Sequence, residues 1–122
     1  MSKTILIVDD SDSLREVVGI ALKGAGYEVI EGADGQEGLN QLDGKKIHLI
    51  ISDVNMPNMN GIEMVKKIKE NDTYKFTPII MLTTESGDDM KEEGRGAGVK
   101  AWMVKPFKPE QMLDAVSKLI MP

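Results

Sequence analysis

Thr4-Ile5-Leu6-Ile7-Val8-Asp9-Asp10 opens the chain with an unbroken β-prone apolar run that ends on two aspartates. A strand with one wet face would alternate apolar and polar residues. A continuous run is the pattern of a parallel strand buried on both faces. Four more apolar runs follow: Glu28 to Ala33, Leu49 to Asp53, Pro78 to Thr83 and Ala101 to Val104. Segments of helical spacing separate them. Leu14, Val17, Val18, Ala21, Leu22 and Ala25 form one stripe, with Asp12 or Ser13 as candidate cap and Gly26 where that helix should stop. Asp34 and Glu37 suit the start of a short second helix. Ile62, Val65 and Ile68 line a third helix after the loop Val54 to Asn60. A fifth begins near Pro109 and carries Met112, Leu113, Val116, Leu119 and Ile120 on one side.

The fourth helix, Asp88 to Ala97, is polar nearly all round and holds Gly94 and Gly96, each costing roughly 1 kcal/mol relative to Ala. It reads either as a marginal surface helix or as an element meant to move. Five β-α units in succession give an α/β fold: a doubly wound, five-stranded parallel sheet with helices on both faces. Ligands of such sheets bind at the carboxyl ends of the strands.

Bulk properties narrow the function. A length of 122 residues suits one domain, read here as residues 1–122. A net charge of −5 argues against a nucleic-acid partner or an anionic membrane surface. The absence of cysteine removes disulfides, thiolate metal sites and a Cys nucleophile. The first apolar run is too short for a signal segment or a membrane span, so a cytoplasmic protein is expected.

The strand ends carry the chemistry. Asp9 and Asp10 end the first strand, Asp53 the third and Thr83 the fourth, while Lys105 follows the fifth. Three carboxylates on one rim repel one another unless a cation holds them. An all-oxygen donor set of one or two carboxylates with phosphate oxygen suits Mg²⁺. A carboxylate nucleophile, a metal, an ammonium and a hydroxyl together describe phosphoryl transfer to aspartate.

Four motifs in order carry a family resemblance: Val8-Asp9-Asp10, Asp53-Val54-Asn55-Met56-Pro57-Asn58-Met59-Asn60-Gly61, Leu82-Thr83-Thr84-Glu85 and Val104-Lys105-Pro106-Phe107. Thr83 lies 30 residues and Lys105 52 residues after Asp53. From Thr4 to Ile120 the chain resembles the receiver domains of two-component response regulators, in particular the stand-alone chemotaxis CheY type. The resemblance implies the flavodoxin-like strand order 2-1-3-4-5. It implies Asp53 as phosphoacceptor, with Mg²⁺ held by Asp10, Asp53 and the Asn55 carbonyl directly and by Asp9 through water. Thr83 and Lys105 would contact the phosphoryl oxygens, and the Lys105-Pro106 peptide would be cis. The protein would signal rather than turn over substrate, with only autophosphorylation from small phosphodonors and autodephosphorylation of its own.

The resemblance further implies a CheA-like sensor histidine kinase as donor and a flagellar motor switch protein or other protein as target. A dedicated phosphatase is a further candidate partner, and a monomer is expected. The chain ends after the fifth helix, which leaves two outputs open, and Asn55 and Glu85 favour the first, a diffusible messenger. The alternative is a phosphorelay intermediate that passes phosphate to a histidine phosphotransfer domain. Asn55 and Glu85 match the chemotaxis pattern and, being small and polar, should leave the path of water to an acyl phosphate open. A phosphatase of the haloacid-dehalogenase type would use Asp9-Asp10-Ser11-Asp12 but leaves Asp53, Thr83 and Lys105 unexplained. A flavin binder would need a hydroxyl- and glycine-rich loop where this chain has aspartates.

Trp102 departs from the family pattern, which has Tyr or Phe three residues before the Lys-Pro pair. The usual inward rotation of that ring is therefore in doubt, since an indole needs a larger cavity beside Thr83. Either Trp102 is a fixed aromatic on strand five, or helix four yields in its place. Both versions assign output to the face made by helix four, strand five and helix five, with Thr83, Glu85 and Trp102 as its switch. His48 is read as a strand-edge residue, and Lys66, Lys67 and Lys69 as a solvated face in which Glu63 and Lys67 are spaced as an ion pair.

Overall fold

In the computed structural model, which describes residues 2–120, five β-α units follow one another. They are β1 Thr4–Val8, α1 Asp12–Gly24, β2 Glu28–Gly32, α2 Gly35–Asn40, β3 Leu49–Ser52, α3 Gly61–Lys69, β4 Ile79–Thr83, α4 Asp88–Ala97, β5 Ala101–Val104 and α5 Pro109–Leu119. The strands form one parallel sheet in the order β2-β1-β3-β4-β5. This is the expected doubly wound arrangement.

The continuous apolar run of β1 is explained by its two destinations. Ile5 and Ile7 enter a core with Val18 and Leu22 of α1 and Met112 and Val116 of α5. Leu6 and Val8 enter a second core with Met64, Val65 and Ile68 of α3 on the opposite face. All four β1 side chains are at most 1% exposed, and each contributes about 1.5–3 kcal/mol of burial.

The element ends differ from expectation in small ways with physical causes. Ser11, one residue before Asp12 and two before Ser13, caps α1. Its extended backbone lets Oγ accept the Leu14 N–H at 3.2 Å, while Asp12 turns to Arg15. β2 stops at Gly32, whose carbonyl accepts from Asp9 at 3.1 Å, and the next N–H, that of Ala33, donates to the Glu37 side chain at 3.0 Å. Asp34 caps α2 as anticipated, accepting the Glu37 N–H at 2.8 Å. β4 starts at Ile79 rather than Pro78, although the Pro78 carbonyl still accepts from Ile50. Glu63 closes a capping box with Asn60 instead of pairing with Lys67. Lys69 is not solvated either: its ammonium donates to the carbonyls of Lys75 and Thr77 at 3.0 and 3.3 Å.

The two glycines of α4 have different roles. A Cβ at Gly94 would sit 2.7 Å from the Trp102 ring, so glycine there makes room for the indole. A Cβ at Gly96 would meet nothing within 4 Å.

His48 stands at the entry to β3, where its Nδ1 accepts the Thr4 N–H at 2.9 Å. That bond requires Nδ1 to be unprotonated. Burial, then the charges of Lys3 and Lys46, hold the imidazole below its ordinary pKa of 6.5. The unfolded chain therefore takes the proton first. The stabilisation is complete above about pH 6.5 and is lost as pH falls from there through the folded-state value. Urea midpoints between about pH 7.5 and pH 5.5 should fall more for the wild type than for His48→Gln. Parallel pH profiles would contradict this.

Candidate functional site

The parallel register assembles the rim. Val8 lies beside Ser52, Ser52 beside Met81, and Thr83 beside Val104, so the residues that end or follow these strands meet at one edge. Backbone bonds fix the junctions: the Asp53 N–H donates to Val8 at 2.9 Å and the Lys105 N–H to Thr83 at 2.8 Å.

Carboxylate oxygens of Asp9, Asp10 and Asp53 lie within 4.8 Å of one another. Asp9 is 2% and Asp53 8% exposed, whereas Asp10 faces solvent. The Lys105 ammonium lies 3.0 Å from both Asp9 Oδ2 and Asp53 Oδ2. The other oxygens have backbone partners: Asp9 Oδ1 accepts from Ser11 at 2.9 Å and Asp53 Oδ1 from Val54 at 2.6 Å. Burial, with the charge of Asp53 as a lesser cause, raises the pKa of Asp9 against the opposing pull of the Ser11 N–H and Lys105. Burial works against the charge of Lys105, but its bonds to Asp9 and Asp53 outweigh that and raise its pKa. One ammonium thus faces three carboxylates, an excess of negative charge at hard oxygen donors that a divalent cation would relieve.

The loop after Asp53 is built for close approach. Gly61 donates its N–H to Val54 at 2.8 Å, and a Cβ on it would lie 2.0 Å from the Asp53 carbonyl oxygen. Gly61→Ala should cost about 3 kcal/mol in denaturant unfolding, because that contact is with backbone and cannot rotate away. A loss below about 1 kcal/mol would show that the loop shifts freely.

Thr83, fully buried, accepts the Glu85 N–H on its hydroxyl at 3.2 Å. Glu85 in turn accepts from the Asn55 side chain at 2.8 Å and, through its backbone carbonyl, from the Trp102 indole N–H at 2.8 Å. Hydrogen bonds therefore run from the loop beside Asp53 to β5. The Lys105-Pro106 peptide is cis. His48, at the opposite end of β3, takes no part.

Arg15 is the member of this region that the sequence reading missed. Its guanidinium donates to the Asp9 carbonyl and to Asp12, and at 3.0 Å to Glu31. It clamps the loop that presents Asp9 and Asp10. Nothing in the sequence pairs position 15 with 31, so only the i,i+3 spacing from Asp12 hinted at it. The bond between Asp34 and Asn58, 2.7 Å, which ties the loop after Asp53 to α2, was equally hidden.

The comparisons with known proteins agree with this architecture. The family model for the response regulator receiver domain matches residues 5–117, and the chain belongs to that family. Receiver domains are components of two-component signalling. Within the family the chain is similar to chemotaxis protein CheY1 of Helicobacter pylori, with 37% identity over 95% of both chains. It is also 36% identical to the phosphate regulon transcriptional regulatory protein PhoB of Pseudomonas aeruginosa, covering 98% of this chain but 52% of that protein. Among solved structures, CheY4 of Vibrio cholerae superposes with a TM-score of 0.93 at 46% identity, over 98% of this chain and 99% of that one. No helix among the described residues is long and apolar enough to cross a membrane.

Proposed function

We propose that Asp53 accepts a phosphoryl group from a phosphohistidine of a CheA-like sensor kinase, and that the protein carries this signal as a CheY-like chemotaxis messenger. The observation that carries the reading is the Lys105 ammonium held 3.0 Å from both Asp53 and Asp9, with Asp10 beside them. A carboxylate oxygen of Asp53 attacks phosphorus as the bond from phosphorus to the histidine nitrogen breaks, leaving an acyl phosphate and a free imidazole. Asp9, Asp10, Asp53 and the Asn55 carbonyl are the residues that would hold Mg²⁺, which supplies charge neutralisation for the phosphoryl oxygens. The Lys105 ammonium, 3.0 Å from Asp53 Oδ2, would pair with a phosphoryl oxygen there. Similarity to chemotaxis relatives, 37% identity to CheY1 and 46% to CheY4, favours a messenger acting on a flagellar motor switch protein.

Output follows from Thr83. If the Thr83 hydroxyl moves to donate to a phosphoryl oxygen, the Glu85 N–H that it accepts is drawn with it, and Glu85 also holds the indole of Trp102. The indole lies against Gly94 and packs on the core beside α3, with its N–H held by the Glu85 carbonyl. The segment from Glu85 through α4 is then the part that moves, biased by contacts made only in the phosphorylated state.

Beryllofluoride with Mg²⁺, which mimics a phosphoryl group on Asp53, tests this through the emission of Trp102. The spectrum should change in the wild type and change less in Thr83→Ala. An identical spectrum, with unaltered amide exchange across residues 85–102, would exclude this face as the output.

A further inference from the structure

β2 is the outermost strand on its side of the sheet and pairs only with β1. The Glu28 N–H donates to Lys3 and the Gly32 carbonyl accepts from Asp9, so the intervening odd positions, Val29 and Glu31, turn their backbone groups outward. α2 and its C-cap close the far half of this edge. The Gln41 side chain donates to the Glu31 carbonyl at 3.2 Å, and Glu37 takes the Ala33 N–H. At Val29 no group among the described residues takes the outward N–H or carbonyl.

This open stretch lies in a groove of about 750 Å³ lined by Tyr27, Val29, Ile30, Lys23, Lys45 and Lys46. Glu28 is the one acidic residue on its wall. Lys45 is 3.6 Å from Asp43, whereas Lys23 and Lys46 have no carboxylate within ion-pair distance among the described residues. On a protein of net charge −5, this edge is locally basic.

We infer that the β2 edge is a docking site for an extended acidic segment of a partner protein, which adds beside Val29 as a further strand. Main-chain bonds to Val29 supply the pairing, and apolar residues of the segment cover the groove. The lysines select the occupant. Edge to edge, a second copy of this chain would bring its own three lysines against these. A neutral strand would have to desolvate them without compensation, the usual way lysine guards an edge. Carboxylates, the anionic groups of an unmodified segment, turn that guard into attraction. The site is remote from Asp53, so it stands or falls independently of the phosphoacceptor reading.

The test is a titration of the full isotope-labelled chain, followed by amide shifts, with a synthetic peptide alternating glutamate and valine. Shifts should concentrate at residues 27–31 and 44–48. Affinity should fall at least about tenfold in K45E/K46E and again at high salt. Val29→Pro, which deletes the outward N–H while keeping the charge, should weaken binding as well. The proposal is overturned if the same peptide with lysine for glutamate binds equally well. It is also overturned if shifts spread over the surface and ignore Val29→Pro, or if there are none.

Discussion

Asp53→Asn should abolish phosphoryl labelling by acetyl phosphate, a loss of about a thousandfold or more, while leaving the fold intact. The side chain is nearly isosteric, and its amide oxygen can still accept from Val54 as Asp53 Oδ1 does at 2.6 Å. What disappears is the anionic oxygen that attacks phosphorus. Stability should not fall with it. Asp53 is one of the causes that raise the pKa of Asp9, and Lys105 keeps Asp9 as a partner at 3.0 Å when Asp53 is neutral. Intact mass after acetyl phosphate treatment, with a thermal melt of the same sample, checks both halves. A phosphoryl adduct that survives on the folded variant would move the acceptor elsewhere.

Chelation of Mg²⁺ should suppress labelling of the wild type as completely as the Asp53 substitution does. Asp9, Asp10 and Asp53 bring their oxygens within 4.8 Å, and a phosphoryl dianion could not enter that field against one ammonium alone. Asp10 is the solvent-facing member and so the one whose loss perturbs the core least. Asp10→Asn should weaken Mg²⁺ binding about tenfold or more, measured by calorimetry, and slow labelling in proportion. Undiminished labelling in excess EDTA would remove the metal from the account.

Most of the fold was legible because its signals are local. Ile5 to Val8 alternate between two cores, and a strand buried on both faces has to read as an unbroken apolar run. The crevice followed from the β-α repetition, so Asp9, Asp10, Asp53, Thr83 and Lys105 could be placed on one rim, although β2 and β3 each end one residue earlier than expected, at Gly32 and Ser52. What stayed hidden was tertiary. The reach of Arg15 to Glu31 and the tie of Asp34 to Asn58 depend on which loops adjoin, which spacing does not state. The cap of α1 was misplaced by one or two residues because Ser11, Asp12 and Ser13 are all competent caps. Backbone dihedrals chose among them. Gly94 looked like a source of mobility, but the structure assigns it the narrower task of admitting Trp102.

Phosphorylation is expected at the side chain of Asp53 and at no other. Borohydride reduces an acyl phosphate to an alcohol, so an aspartyl phosphate is left as homoserine, which peptide sequencing by mass can locate. After acetyl phosphate and Mg²⁺, the reduced wild-type chain should carry homoserine at position 53 alone. Homoserine at position 9 or 10, or a phosphoryl adduct that resists borohydride and maps to a hydroxyl residue, would contradict the assignment.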